Sequence, residues 1–278
     1  MKEWDFPDLG IEPRTIPQDR HVAYSFETLA VARVFPIGRE TNVVMPSATG
    51  FFLETNQRKL FITNKHVVTA RDFFIPNRHL FHGATPGNLV LNCFLFKDLG
   101  NEKYFFIDTL YDIQLFHPDG TPRYFTPSTR GEMDVAVFDL GTPKFNHPTL
   151  GDMSFCYLRP STLHPSVMDT VFVVGHPDTG IFKDTGYSVF KSGIIASEPT
   201  LSFKGGLTLV DANTKKGMSG SPVLHKPPNI FEHHAGVIGV YSGRDEEGKL
   251  TGNSELGLMW PLSQIVEEFE AANPTIWA

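Results

Sequence analysis

Leu60-Phe61-Ile62-Thr63-Asn64-Lys65-His66-Val67-Val68 joins a short apolar run to a histidine. Read as a strand that delivers His66 to a loop, this stretch sets the frame for the rest of the chain. Runs of the same kind recur on both sides of it, at 30–35, 50–54, 89–96, 104–108, 113–116, 135–140, 171–174, 187–196, 207–210, 222–224, 236–242 and 256–260. They are rich in Val, Ile, Phe and Leu, and Gly, Pro, Asn and Asp stand between them. About thirteen short strands without helical periods between them predict an all-β sandwich or barrel and argue against a parallel α/β sheet.

One helix is predicted, at the C-terminus, where Leu262, Ile265, Val266 and Phe269 recur at i, i+3, i+4 and i+7. Ser263 is placed to cap it and Asn273-Pro274 to close it, and Glu267, Glu268 and Glu270 read as its solvated face. The stretch 141–152, punctuated by Gly, Pro and Asp and lacking a strand pattern, divides the strands into two similar sets. The expected organisation is an N-terminal extension over 1–26, a first barrel over 27–148, a second over 149–260, and a helix with tail over 261–278.

The chain has 278 residues, 41% hydrophobic and 20% charged, enough for one large domain or two packed halves. Its 24 Phe fall mostly within the strand runs, where core packing explains them. A net charge of −7 with no dense Lys/Arg cluster leaves out the electrostatic footprint of a nucleic-acid binder. The sequence shows no signal-peptide apolar region and no uncharged stretch approaching the roughly 18 residues of a membrane span, so no membrane partner is expected. Cys93 and Cys156 lie in or beside apolar runs and read as buried, reduced thiols, which fits a cytoplasmic protein.

The second informative stretch is Gly217-Met218-Ser219-Gly220-Ser221-Pro222. Gly, Ser and Pro are ordinary turn residues, but a serine between glycines can also expose its hydroxyl beside free backbone N–H groups. A serine hydroxyl is a poor nucleophile at neutral pH. It needs an imidazole to take its proton and a carboxylate to fix that imidazole's tautomer. His66 supplies the first. Asp134, just before the run Val135-Ala136-Val137-Phe138, supplies the second, because an aspartate at a strand entrance is costly to bury unless it accepts hydrogen bonds. Asp139, an odd number of positions further on, points to the other face of that strand.

On these residues the chain resembles the chymotrypsin-fold (trypsin-like) serine peptidases, in the style of the bacterial HtrA-type members without disulfides. Thr63-Asn64-Lys65-His66-Val67-Val68 is similar to the family's T-x-x-H-V, Asp134-Val135-Ala136 to D-[IL]-A, and Gly217 to Pro222 to G-x-S-G-[GS]-P. Val173-Val174-Gly175-His176-Pro177, Ser192-Gly193-Ile194-Ile195 and Gly236-Val237-Ile238-Gly239-Val240-Tyr241 resemble strands of the second barrel. The resemblance implies two six-stranded antiparallel Greek-key barrels packed together with a C-terminal helix. His66, Asp134 and Ser219 would be catalytic, and the N–H groups of Gly217 and Ser219 would form an oxyanion hole. It also implies a polypeptide substrate, no cofactor and no metal. Asn213 and Thr214 would stand near the base of the primary pocket, with Tyr241, Ser242 and Gly243 on its wall. The long interval between His66 and Asp134 is assigned to insertions around 71–87 and 117–130.

Two departures carry meaning. Met218 stands where digestive relatives place an aspartate that pairs with a newly cut N-terminus, so activation of that kind is not expected. Val67 stands where they place a disulfide cysteine. No aspartate lies six positions before Ser219, so a strong Lys/Arg preference is unsupported, although Asp211 is near. An α/β-hydrolase esterase would need Ser, acid and His in that order and strand–helix alternation, and neither is found. A metal site at His233-His234 would need two neighbours that face opposite ways on a strand. The remaining alternative is a peptidase-like barrel acting as a catalytically silent scaffold. An intact triad held inactive until a regulatory protein partner binds is a further option within the enzyme reading.

Overall fold

Strand runs dense in Val, Ile, Leu and Phe bury both faces only if they pair into sheets that close or stack. The computed structural model describes residues 25–75, 78–81, 83–99, 104–128, 132–147, 151–178, 187–199, 206–225, 235–244 and 255–272. Its first half opens with a single helical turn, α1 (Phe26–Leu29), and then builds one antiparallel sheet. The strands are β1 (Val31–Gly38), β2 (Ala48–Glu54), β3 (Lys59–Thr63), β4 (Pro86–Asp98), β5 (Tyr104–Gln114), β6 (Ala136–Asp139), β7 (Phe145–His147) and β8 (Gly151–Phe155). A short helix, α2 (Lys65–Thr69), follows β3. The sheet order is β6-β3-β2-β1-β4-β8-β7, with β5 paired to β4 off this path.

The second half is a closed barrel of β9 (Thr170–Gly175), β10 (Val189–Ile195), β11 (Thr208–Ala212), β12 (Pro222–His225), β13 (Gly236–Arg244) and β14 (Gly257–Pro261), ordered β10-β11-β14-β13-β12-β9. Helix α3 (Leu262–Ala271) ends the described chain. The all-β class, the barrel and the terminal helix are therefore as expected. The first half departs from a closed six-stranded barrel and is a half-barrel sheet. Its β4–β5 ribbon, paired from Asn88↔Gln114 to Asp98↔Tyr104, runs past the barrel wall. The two runs expected at 104–108 and 113–116 lie largely on this one ribbon strand, β5.

Three local expectations are corrected. The stretch 141–152 contains β7 and the start of β8, too short and polar to show a pattern; what holds them is Phe145 packed edge-on to Phe155 at 4.8 Å. His66 lies in α2 and not on a loop. In α3 the N-cap is Pro261 with no side-chain cap, so Ser263 does not serve, and Glu268 is buried where it accepts the Ser128 N–H at 2.8 Å. Asn273-Pro274 and His233-His234 lie outside the described residues.

The halves share a core. Phe51, Leu53, Leu60 and Ile62 of the sheet pack in one cluster with Val174, Leu224, Val240, Leu258 and Trp260 of the barrel and Phe269 of α3. Side chains of this size each contribute about 1.5–3 kcal/mol when fully buried, so the interface between halves is as cohesive as either interior. A second cluster lies within the sheet, where Phe52 stacks on Phe155 at 4.0 Å. A third fills the barrel and includes Met218. Among the described residues no helix is long and apolar enough to cross a membrane, and no group of His, Cys, Asp and Glu is placed to hold a metal ion.

Candidate active site

Strand β3 ends at Thr63, and α2 starts two residues later, so His66 occupies the first turn of a helix just past the end of β3. Its neighbours Val67 and Val68 are buried and anchor that turn. Asp134 precedes β6, which pairs with β3 in the register Thr63↔Ala136, and this places Asp134 beside the start of α2. The Asp134 side chain is fully buried, which would be costly for an unpaired charge. Three donors satisfy it. The His66 backbone N–H donates to Oδ1 at 2.8 Å, His66 Nδ1 bonds Oδ2 at 2.7 Å, and the Ser242 hydroxyl donates to Oδ2. Asn64 adds a bond from Nδ2 to the Asp134 carbonyl at 2.6 Å.

A carboxylate only accepts, so the bond to Nδ1 fixes that nitrogen as N–H and leaves Nε2 as the basic site of a ring that is 18% exposed. Burial opposes protonation of this ring. The charge and hydrogen bond of Asp134, with Asp72 adding, outweigh it and hold the imidazole above its ordinary range.

Ser219 sits on the turn between β11 and β12, partly exposed. Gly217 has φ +90°, and a Cβ there would stand 2.5 Å from the His176 carbonyl oxygen and 2.6 Å from the Asp178 nitrogen. Gly220 has φ +87° and lies directly against the Thr49 carbonyl oxygen. Only glycine meets both demands. The turn is pinned from the first half by Thr49 of β2, whose N–H donates to the Ser219 carbonyl at 2.8 Å and whose hydroxyl donates to the Gly217 carbonyl at 2.8 Å. The same hydroxyl accepts the His176 N–H at 2.9 Å. Met218 and Ser221 donate within the turn, and Gly220 donates to Tyr241, but the N–H groups of Gly217 and Ser219 make no hydrogen bond to a described group. These two donors stand on either side of Met218, one of them on Ser219 itself.

Strand β13 joins the two centres. Ser242 is bonded to Asp134, and a Cβ at the next residue, Gly243, would stand 3.7 Å from Ser219 Oγ. The other positions expected at the pocket divide by burial. Thr214 and Tyr241 are buried and share a 2.5 Å bond between their hydroxyls, while Asn213 is exposed and accepts from Arg244 Nη2 at 3.0 Å. The sequence reading did not include Thr49, Asp178, Arg33 or Arg244. Nothing in a single sequence marks them, because each acts through a partner more than 25 positions away. Asp139, set aside as facing the other way, pairs with Arg58 at 3.0 Å.

Residues 48–227 match the family model of the trypsin-like peptidase domain. No curated protein matches the chain. Among solved structures, a serine endoprotease from Yersinia pestis aligns with a TM-score of 0.50 and 14% identity, over 90% of this chain and 67% of that one. The Rv3671c protease from M. tuberculosis in its active form aligns with a TM-score of 0.48 and 14% identity, over 88% of this chain and 81% of that one. At this identity the Yersinia likeness speaks for the fold.

Proposed function

Since the chain belongs to the trypsin-like peptidase family and is a serine peptidase acting on polypeptides, we propose that His66, Asp134 and Ser219 are its catalytic triad and that it works as an endopeptidase. The observation that carries this reading is the fully buried Asp134 carboxylate bonded to His66 Nδ1, with β13 running from Asp134 to Ser219. Ser219 Oγ attacks the scissile carbonyl while His66 Nε2 takes its proton. The oxyanion that forms is stabilised by the N–H groups of Gly217 and Ser219. His66 then returns the proton to the leaving amine, and an acyl-enzyme remains. Water, deprotonated in turn by His66, hydrolyses it.

The pinned turn supports a site competent in the isolated protein. Fluorophosphonate labelling followed by mass spectrometry tests this: modification at Ser219, absent in Ser219→Ala, is the expected result. No labelling with or without other proteins would leave the catalytically silent scaffold in its place, and labelling only in the presence of a second protein would make the site partner-regulated. Cys93 and Cys156 are both free and buried, which supports a reducing, cytoplasmic location testable by cell fractionation.

A further inference from the structure

Arg244 ends β13, one residue beyond the glycine that lies against Ser219 Oγ. Its side chain turns toward the end of β11. Nε donates to the Thr214 hydroxyl at 3.4 Å, and Nη2 donates to Asn213 Oδ1 at 3.0 Å and to the Thr214 carbonyl. The guanidinium therefore bridges the end of β13 and the segment that enters the Ser219 turn. All three of its bonds go to neutral acceptors, and no described carboxylate forms an ion pair with it.

A guanidinium has five N–H donors in a fixed fork. Nε and Nη2 are engaged, whereas Nη1 donates to no described acceptor. The nearby charges do not neutralise it. Asp178 is committed to Arg33 at 3.2 Å, Lys215 and Lys216 on the adjoining turn are exposed and add positive charge, and Asp211 lies two positions before Asn213 without reaching Arg244. A braced cation with a free edge, next to the proposed nucleophile in a chain of net charge −7, is a local reversal of sign.

Resting on the peptidase reading above, we propose that Arg244 is the specificity-determining residue and that the enzyme cleaves after acidic residues. The substrate's Glu or Asp carboxylate accepts from Nη1, while the Thr214 and Asn213 bonds keep the guanidinium from following the substrate out. A lysine or arginine side chain presented to the same guanidinium meets like charge and is rejected.

The test separates recognition from chemistry. Ser219→Ala protein is titrated by calorimetry with hexapeptides that differ only at the residue before the scissile bond, carrying Glu, Gln or Lys. The Glu peptide is expected to bind roughly tenfold tighter than Gln, and more so over Lys. Adding Arg244→Gln to that protein should erase the Glu preference, and adding Arg244→Glu should turn it toward Lys. Equal affinities for the three peptides, no binding of any, or a Glu preference that survives Arg244→Gln would overturn the proposal. Fluorophosphonate labelling of the wild-type protein reports on the peptidase reading by itself, so a labelled enzyme without acidic preference would sink only the specificity assignment.

Discussion

Asp178 carries two bonds that point at the same place: its carboxylate pairs with Arg33 at 3.2 Å, and its backbone N–H donates to the Lys216 carbonyl at 2.7 Å. In a trans peptide the carbonyl and the following N–H point in opposite directions, so fixing the Lys216 carbonyl aims the Gly217 N–H away from Asp178. Arg33, buried on β1, thus reaches from the first half through Asp178 to one of the two proposed oxyanion donors. This gives a physical counterpart to the absence of an aspartate at Met218. That methionine is buried in the barrel core, and a standing Arg33–Asp178 ion pair lies against the turn.

Replacing Arg33 by Met should lower kcat by roughly tenfold with little change in KM, short of the roughly 10²–10³ expected from losing an oxyanion donor outright. Steady-state kinetics on a peptide substrate checks this. A fall confined to KM would place Arg33 at substrate binding.

Thr49→Val keeps the side-chain volume but removes the hydroxyl that serves Gly217 and His176. Leaving these buried groups unpaired should cost about 1–3 kcal/mol in urea unfolding, together with a loss of kcat. A stable variant with unaltered kcat would mean that the turn holds its shape without this strut.

Asp134→Asn should reduce kcat roughly 10⁴-fold by presenting the wrong tautomer of His66, whereas Ser242→Ala, which removes one of three donors, should cost roughly tenfold. Equal effects from the two substitutions would contradict this ranking of the bonds around Asp134.

In the proposed mechanism the base must be neutral, and the pKa of His66 is raised, so kcat/KM should fall with acid through a midpoint above about 6.5. The same shift has a stability sign. Protonated His66 stabilises the fold below its unfolded pKa, and this contribution disappears as pH rises through the higher folded value. A rate midpoint below 6 would show burial winning over Asp134.

His176 behaves oppositely. Burial, with the Arg33 charge adding, pushes it down to about 3, so between about 6.5 and 3 only the unfolded chain binds its proton, and stability falls as pH falls. That slope is about 1.4 kcal/mol per pH unit from this residue. Unfolding of His176→Met across pH 4–6.5 should be flatter than wild type by this amount; parallel curves would mean that the ring is not held neutral.

Much of this could be read from residue order. The strands announced themselves because β-branched and aromatic runs are bounded by turn residues, and β3 ends at Thr63, where the apolar run before His66 ends in the sequence. His66 and Asp134 stood out because each lies near the end or start of an apolar strand run, and Ser219 because it lies among glycines. The closure of the first half was not legible, since it depends on how far the β4–β5 ribbon extends, and a long hairpin has the same local pattern as two short strands. Glu268 was misplaced for a related reason: periodicity gives the face of a helix, but not the Ser128 loop that covers one point on it. Ser242 was expected on the pocket wall, and its hydrogen bond to Asp134 spans 108 positions that no local pattern connects.

Strand β13 also sets the order in which the proposed site can be completed. His66, Asp134 and Ser219 are all synthesised before Ser242 and Gly243, yet Asp134 lacks its third donor, and Ser219 its neighbouring strand, until those two residues have left the ribosome and docked. A chain interrupted before β13 therefore carries these side chains without the strand that touches two of them, and assembly of the proposed triad waits on that strand.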